Sequence, residues 1–188
     1  MVKVYLIRHC QPVADESNGD GARPLTQKGY QDVPKVTEYF LKKKIDAVYC
    51  SPYRRSIETI SDYCEKSGHD LNIVQDFREV TLGKDYTGEF VDMIIRRWND
   101  FDYNLSDGES YAEVQKRCIA ALLPLLDKHE GECIAVSMHS TAMSTMIKYF
   151  KPEFVWEDYF EVLSHTPYIA LLTLDDKKLV DIEYHHFD

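Results

Sequence analysis

Apolar and polar positions change their period several times along this chain, and each change marks an element. Val2, Val4 and Leu6 alternate with Lys3 and Tyr5, which predicts a strand over 2–8 that stops at Arg8-His9. Residues 10–25 collect Pro12, Gly19, Gly21 and Pro24 among polar neighbours and read as a loop. Thr26 then caps a helix running to about Lys44, with Tyr30, Val33, Tyr39 and Phe40 turned inward. Pro34 lacks an N–H, so it must kink this helix or delay its start. Ala47 to Cys50 is a second short strand. Ser51-Pro52 forms a helix opening, Ser as N-cap and Pro at the first helical position, and Ile57, Ile60 and Cys64 are the buried face before Gly68 ends the helix.

Leu71 to Val74 reads as a third strand, after which the pattern weakens. Residues 80–106 mix Gly83, Gly88, acids, Trp98 and Tyr103 without a clean period and are expected to form an insert over a site. Order returns with Ser110-Tyr111-Ala112-Glu113, a capping box opening a helix whose Val114, Cys118, Leu122 and Leu125 share one face. Glu132 to Val136 is a buried strand and Thr141 to about Phe150 a helix. Tyr168 to Leu174 and Leu179 to Tyr184 form a hairpin around Asp175-Asp176. Strands alternating with helices predict an α/β sheet with helices on both faces.

The composition narrows what such a domain does. With 188 residues, 44% of them hydrophobic, the chain has the size of one globular domain, and 22 basic against 32 acidic residues leave a net charge of −10. That balance argues against a nucleic-acid or anionic-membrane partner, but it allows a few arginines gathered in one pocket around a small anion. The longest apolar stretches, Cys118 to Leu126 and Tyr168 to Leu174, fall far short of the roughly 20 residues that span a bilayer. The five cysteines are odd in number and include no Cys-x-x-Cys pair, which fits reduced, cytoplasmic surroundings. Met1 to Ile7 is too short for a secretory apolar region and reads as mature protein, so Asn104-Leu105-Ser106 matches the glycosylation pattern by chance.

Three polar clusters each follow an apolar strand: Arg8-His9, Ser51 to Arg55, and Ser137 to His139. In α/β sheets the carboxyl ends of parallel strands gather at one rim, so these clusters are expected to converge. Arginine presents a planar fork that matches phosphate oxygens, and Arg55 in a first helical turn adds backbone N–H groups and the positive end of a helix dipole. An imidazole in such a ring attacks phosphorus through an unprotonated nitrogen, and the resulting phosphohistidine is cleaved by water. Glu79, beyond the third strand, is the candidate acid that protonates the leaving oxygen and then deprotonates the water, with Asp76, Asp85, Glu89 and Glu109 as rivals.

Val4-Tyr5-Leu6-Ile7-Arg8-His9 with Pro24-Leu25-Thr26-Gln27-Lys28-Gly29, Ser51-Pro52-Tyr53-Arg54-Arg55 through Thr59, Gly108-Glu109-Ser110, and Val136-Ser137-Met138-His139 resemble the histidine phosphatase superfamily, the phosphoglycerate-mutase-like family, in order and across nearly the whole chain. The resemblance implies a three-layer α/β/α sandwich forming one domain over 1–188, with 80–106 as a cap insert. It implies His9 as the phosphorylated nucleophile, Arg8, Arg55 and His139 as the rest of the phosphate pocket, and Glu79 as proton donor. The chain departs from the family pattern with Cys10 in place of glycine after His9, Ser140 after His139, Pro12 for a threonine, and Asp15 for an asparagine.

The expected activity is that of a phosphomonoesterase on a small phosphorylated metabolite, without metal or cofactor. The alternatives are a phosphoglycerate-type mutase, for which the chain has little room for covering segments, and a catalytically silent phosphate binder or scaffold. Gln11, Arg96 and Trp98 are further candidates for substrate contact, the last two within an insert that also offers Tyr86, Phe90, Met93, Phe101 and Tyr103. Cys10 beside the nucleophile reads either as a peroxide-sensitive thiolate near arginines or, more simply, as a small residue packed in the loop. His185-His186 is set aside as a metal pair because neighbours on a strand point to opposite faces. Oligomeric state is not written in these patterns.

Overall fold

A computed structural model describes residues 1–83, 90–104 and 107–187. Six strands, β1 (Val2–Arg8), β2 (Ala47–Cys50), β3 (Leu71–Ile73), β4 (Cys133–Met138), β5 (Tyr168–Asp175) and β6 (Lys178–His186), form one sheet in the order β3-β2-β4-β1-β5-β6. The first four in that order run parallel, and β5 and β6 are antiparallel additions. The helices are α1 (Gln27–Leu41), α2 (Arg54–Ser67), α3 (Phe90–Asn99), α4 (Tyr111–Lys128), α5 (Ser140–Phe150) and α6 (Trp156–Ser164).

The alternation in β1 builds the layers. Val2, Val4 and Leu6 enter a core shared with α3, α4, α5 and α6, while Tyr5 and Ile7 enter a second core against α1 and α2. The result is the three-layer α/β/α sandwich expected. Each large apolar side chain moved into these cores is worth about 1.5–3 kcal/mol, and β4 contributes to both, Ile134 and Val136 to the first, Ala135 to the second.

The local signals hold at most boundaries. Thr26 accepts from the Gly29 N–H, Ser110 and Glu113 close the capping box, and Gly68 takes the left-handed conformation that ends α2. The hairpin turns on Asp176 and Lys177, both at positive φ, one residue further on than the expected Asp175-Asp176, because Asp175 pairs with Lys178. Four other expectations change. Pro34 lies on the exposed face of α1 and neither delays nor ends it, and the helix stops at Leu41, short of Lys44. Tyr30 is exposed beside Arg54 and Glu58, so Val33, Val36, Thr37 and Phe40 make the buried stripe. Helix α2 starts at Arg54 with Tyr53 as its N-cap, leaving Ser51-Pro52 outside. Two helices are additions: α3 inside the expected insert, and α6, nine residues long, buried through Tyr159 and Val162. Of the insert residues, Asp85, Tyr86, Glu89, the Phe90 side chain, and Leu105-Ser106 lie outside the described residues.

Candidate active site

Register brings the two histidines together. Arg8 pairs with Met138 across β1 and β4, so His9 and His139, one residue further on, leave adjacent strands at the same level. Their ring centroids are 5.2 Å apart, and the His9 N–H donates to the Met138 carbonyl at 3.2 Å. Cys50 pairs with Ser137 on the other side of β4, which delivers Ser51 to the same rim.

His9 is buried, with Nδ1 2.7 Å from the Cys10 carbonyl oxygen. A carbonyl only accepts, so Nδ1 carries the proton and Nε2 presents a lone pair. Arg55 Nε donates to that lone pair at 3.1 Å. Burial, then the charges of Arg55 and Arg8, hold the imidazole well below its usual range. His9 is therefore neutral at physiological pH, with the nitrogen that would attack facing a guanidinium.

His139 is fully buried and does not itself line the cavity. Its Nε2 lies 2.6 Å from Ser51 Oγ, which also accepts from the Tyr53 N–H. Nε2 is the acceptor available to the Ser51 hydroxyl among the described residues, so the proton of this ring sits on Nδ1, which is buried without a partner. Burial and the nearby positive charge of Arg55 keep His139 neutral as well.

The arginines are braced before any ligand arrives. Arg55, in the first turn of α2, gives Nη1 to the Asp20 carbonyl at 2.6 Å and Nη2 to the Asp20 carboxylate at 3.0 Å. Asp20 also pairs with Arg23 at 3.2 Å, and Arg23 with Glu16 at 2.6 Å, so a charged chain runs through the loop after β1. Arg8 gives Nη1 to the carbonyls of Val162, Leu163 and His165 at 2.7–2.8 Å, the negative end of α6, while its Nε is buried and, among the described residues, unpartnered.

Glu79 meets the opposite pole, the N-terminus of α5. Its Oε1 accepts from the N–H groups of Val80 and Ala142, and its Oε2 from the Thr141 N–H and the Ser140 hydroxyl, all at 2.9–3.2 Å. Among the described residues Glu79 makes no ion pair, unlike Asp76 and Glu109. Glu109 accepts from Arg78, Arg117 and the Thr81 N–H; burial alone would raise its pKa, but these bonds hold it below the usual carboxylate range. Asp76 lies 3.4 Å from Arg78.

Arg8, His9, Arg55 and Glu79 open on a cavity of about 360 Å³, whose other walls include Asp20, Arg23, Tyr53, Val80, Leu82, Met93, Ile94, Tyr111, Ser140, Thr141 and Tyr159. A more open groove of about 820 Å³, edged by Lys42, Lys43 and Lys44, lies at the other end of the sheet, away from these groups. Three sequence candidates are not in the cavity. Gln11 is a loop brace: its carbonyl and Oε1 both accept from Thr26, and its carbonyl presses so close to α1 that a Cβ on Gly29 would stand 2.3 Å from it. Trp98 is a core residue packed among Phe101, Tyr111, Phe154 and Tyr159. Arg96 is exposed and stacks over Tyr103 at 3.9 Å. The phase of α3 explains both, because Met93 and Ile94 take the inward face toward the cavity and Trp98 lies one turn beyond. Cys10 is the packed residue of the simpler reading: it is buried, and burial pushes its thiol up to about 12.

Sequence reasoning missed Asp20, Arg23 and Tyr53 as cavity residues and Ser51 as the partner of His139. Ser51 and Tyr53 were visible as members of the cluster expected at the rim but without a role of their own, and Asp20 only as one acid in an irregular loop.

Comparison with known proteins gives the family and the fold. Residues 4–180 match the histidine phosphatase superfamily (branch 1). The chain is 28% identical over 152 residues, 75% of each chain, to a Hydrogenobacter thermophilus protein named "Putative phosphoserine phosphatase 2". It is 31% identical over 140 residues to phosphoglycerate mutase-like protein 4 of Arabidopsis thaliana, covering 68% of this chain and 60% of that one. Among solved structures, Bacillus stearothermophilus YhfR superposes with a TM-score of 0.76 at 24% identity over 95% of this chain and 94% of its own. The phosphoserine phosphatase of Entamoeba histolytica, solved with phosphoserine, gives 0.76 at 20% identity over 97% and 96%. The chain therefore belongs to the histidine phosphatase superfamily.

Proposed function

We propose that this protein is a phosphomonoesterase that releases phosphate from a small phosphorylated metabolite through a phosphohistidine on His9. The observation that carries the reading is the His9 imidazole, proton fixed on Nδ1 by the Cys10 carbonyl and lone pair on Nε2 facing Arg55. The phosphoryl group takes the place of that Arg55 contact. Nε2 attacks phosphorus, a P–N bond forms, and the ester P–O bond breaks with its electron pair leaving on oxygen. Glu79, at the cavity wall, supplies the proton to that oxygen. Water then attacks the phosphorus and gives a proton back to Glu79; a new P–O bond forms as the P–N bond breaks with its electron pair returning to Nε2, and phosphate departs.

Arg8 and Arg55, which line the cavity, supply the donors that meet the charge on the transferring group, and their bracing before reaction lowers the cost of reorganising them, while His139 stands buried behind His9. No metal enters this chemistry. The cavity volume suits a metabolite, and the presence of Val80, Leu82, Met93 and Ile94 in its walls supports the reading of the insert at 80–106 as a cap. Relatives named as phosphoserine and glucosyl-3-phosphoglycerate phosphatases support a small phosphorylated substrate.

The test is to quench turnover of a phosphorus-labelled substrate and map the label. An acid-labile adduct on His9, absent together with activity in His9→Ala, is the expected result. An active His9→Ala enzyme overturns the mechanism.

A further inference from the structure

A second group of ligating side chains lies outside the cavity. Glu161 in α6, His165 at the C-cap of α6 and His186 at the end of β6 each place one ligand atom within 4.8 Å of the others. The His165 and His186 rings stack with centroids 4.2 Å apart, and His165 Nδ1, 3.3 Å from Glu161 Oε1, bonds at 3.0 Å to the Glu161 carbonyl and lies 3.0 Å from the Ser164 hydroxyl, so Nδ1 carries the proton and Nε2 is the nitrogen left for an ion. The objection to His185-His186 as a pair stands, since His185 turns to the other face and stacks on Tyr39 at 4.7 Å. The partner of His186 comes from a helix distant in sequence.

We propose that Glu161, His165 and His186 bind a divalent transition-metal ion of the zinc type, which clasps the end of α6 to β6. Two imidazoles and one carboxylate suit zinc and its neighbours, whereas magnesium and calcium take oxygen ligands. Zinc bonds of about 2.0–2.2 Å at tetrahedral angles need ligand atoms roughly 3.3–3.6 Å apart, so the three side chains close by about an ångström. Glu161 and His186 are exposed and His165 half-buried, which leaves an entry path and a fourth position for water.

The site is distinct from the phosphoryl-transfer chemistry but tied to its scaffold. The His165 carbonyl, with those of Val162 and Leu163, holds Arg8, and the next residue, Thr166, donates its hydroxyl to the His9 carbonyl at 2.7 Å. His165 thus offers its side chain to the ion and its main chain to the phosphate-binding arginine. The bound ion stiffens the turn on which both Arg8 and His9 lean.

Calorimetric titration of Zn²⁺ into metal-free protein tests this, with Mg²⁺ in a parallel arm and wild type, His186→Ala, Glu161→Gln and His9→Ala compared. The expected result is one zinc site in wild type and in His9→Ala, weakened about tenfold or more in His186→Ala and Glu161→Gln, and no heat from Mg²⁺. Zinc should raise the thermal midpoint of wild type and leave that of His186→Ala in place, because only the native form assembles the site. Metal-free His186→Ala should turn over substrate at the wild-type rate. Zinc binding unchanged in both His186→Ala and Glu161→Gln, or lost in His9→Ala, places the ion elsewhere and overturns the proposal, as does the absence of binding.

Discussion

The floor and the roof of the cavity are built on different principles. On the floor, Arg8, His9, Arg55 and Glu79 each sit at or beside the end of a strand or helix, and each is held by bonds to the main chain or to a neighbouring side chain. The roof, Val80, Leu82, Met93 and Ile94, comes from the segment between β3 and α4 and presents apolar side chains. On the proposed function, reaction and substrate choice reside in separable parts. A phosphoryl group needs fixed donors at fixed distances, whereas an apolar roof needs only volume and shape, so the roof can change without disturbing the chemistry.

Four substitutions or conditions probe that separation. The largest effect is expected from Trp98→Ala, which empties a site among four aromatic rings and should cost about 3–5 kcal/mol of stability by chemical denaturation. The same variant should retain its ranking of substrates, since Trp98 touches the core and not the cavity; a changed ranking would move Trp98 back into the roof. Arg55→Ala removes a floor donor, and steady-state kinetics should show kcat falling by about 10²–10³ for every ester, large or minimal.

Acidification tests the floor through stability. His9 and His139 are neutral in the native state because burial lowers their affinity for protons, but in the unfolded chain they protonate near pH 6.5. Below that pH the unfolded state binds more protons, so stability is fully present above about 6.5 and falls as pH drops, by at most about 1.4 kcal/mol per unit for each ring. Urea midpoints between pH 7.5 and 5 should show the slope, and His139→Asn should reduce it. The smallest effect belongs to the roof: Ile94→Ala should raise KM for a metabolite with an apolar body several-fold and leave a minimal aryl phosphate unchanged.

The same division explains what could be read from the chain. His9, Arg55 and His139 were legible because each follows a short apolar run, and the parallel register of β1, β2 and β4 then places them with no further information. Glu79 needed its motif, since its neighbours in the fold, the first N–H groups of α5, are more than sixty residues away. Arg96 and Trp98 misled because aromatic and basic residues near a site look like recognition, and only the rotation of α3 decides which of Met93, Ile94, Arg96 and Trp98 face the cavity. Helix α6 escaped notice for a related reason: nine residues form a marginal helix in isolation, and this one is fixed by burial of Tyr159 and Val162. Ser51 has a capping residue's sequence but a positioning residue's job, because its hydroxyl is closer to His139 than to any helix end it opens.

The cysteines carry a kinetic consequence. All five are free, and burial pushes every thiol upward, Cys64 and Cys133 to about 11, Cys10 and Cys118 to about 12, and Cys50 higher still. Alkylating reagents attack the thiolate, so native Cys10, buried, with its main-chain N–H bonded to the Thr59 hydroxyl and its thiol holding the proton, is expected to react slowly with them. Its modification must pass through moments when the loop lifts from α2. The labelling rate of Cys10 in native protein, followed with an alkylating reagent, is therefore expected to report opening of the loop after β1, and a rate equal to that of the unfolded chain would show the loop to be open already.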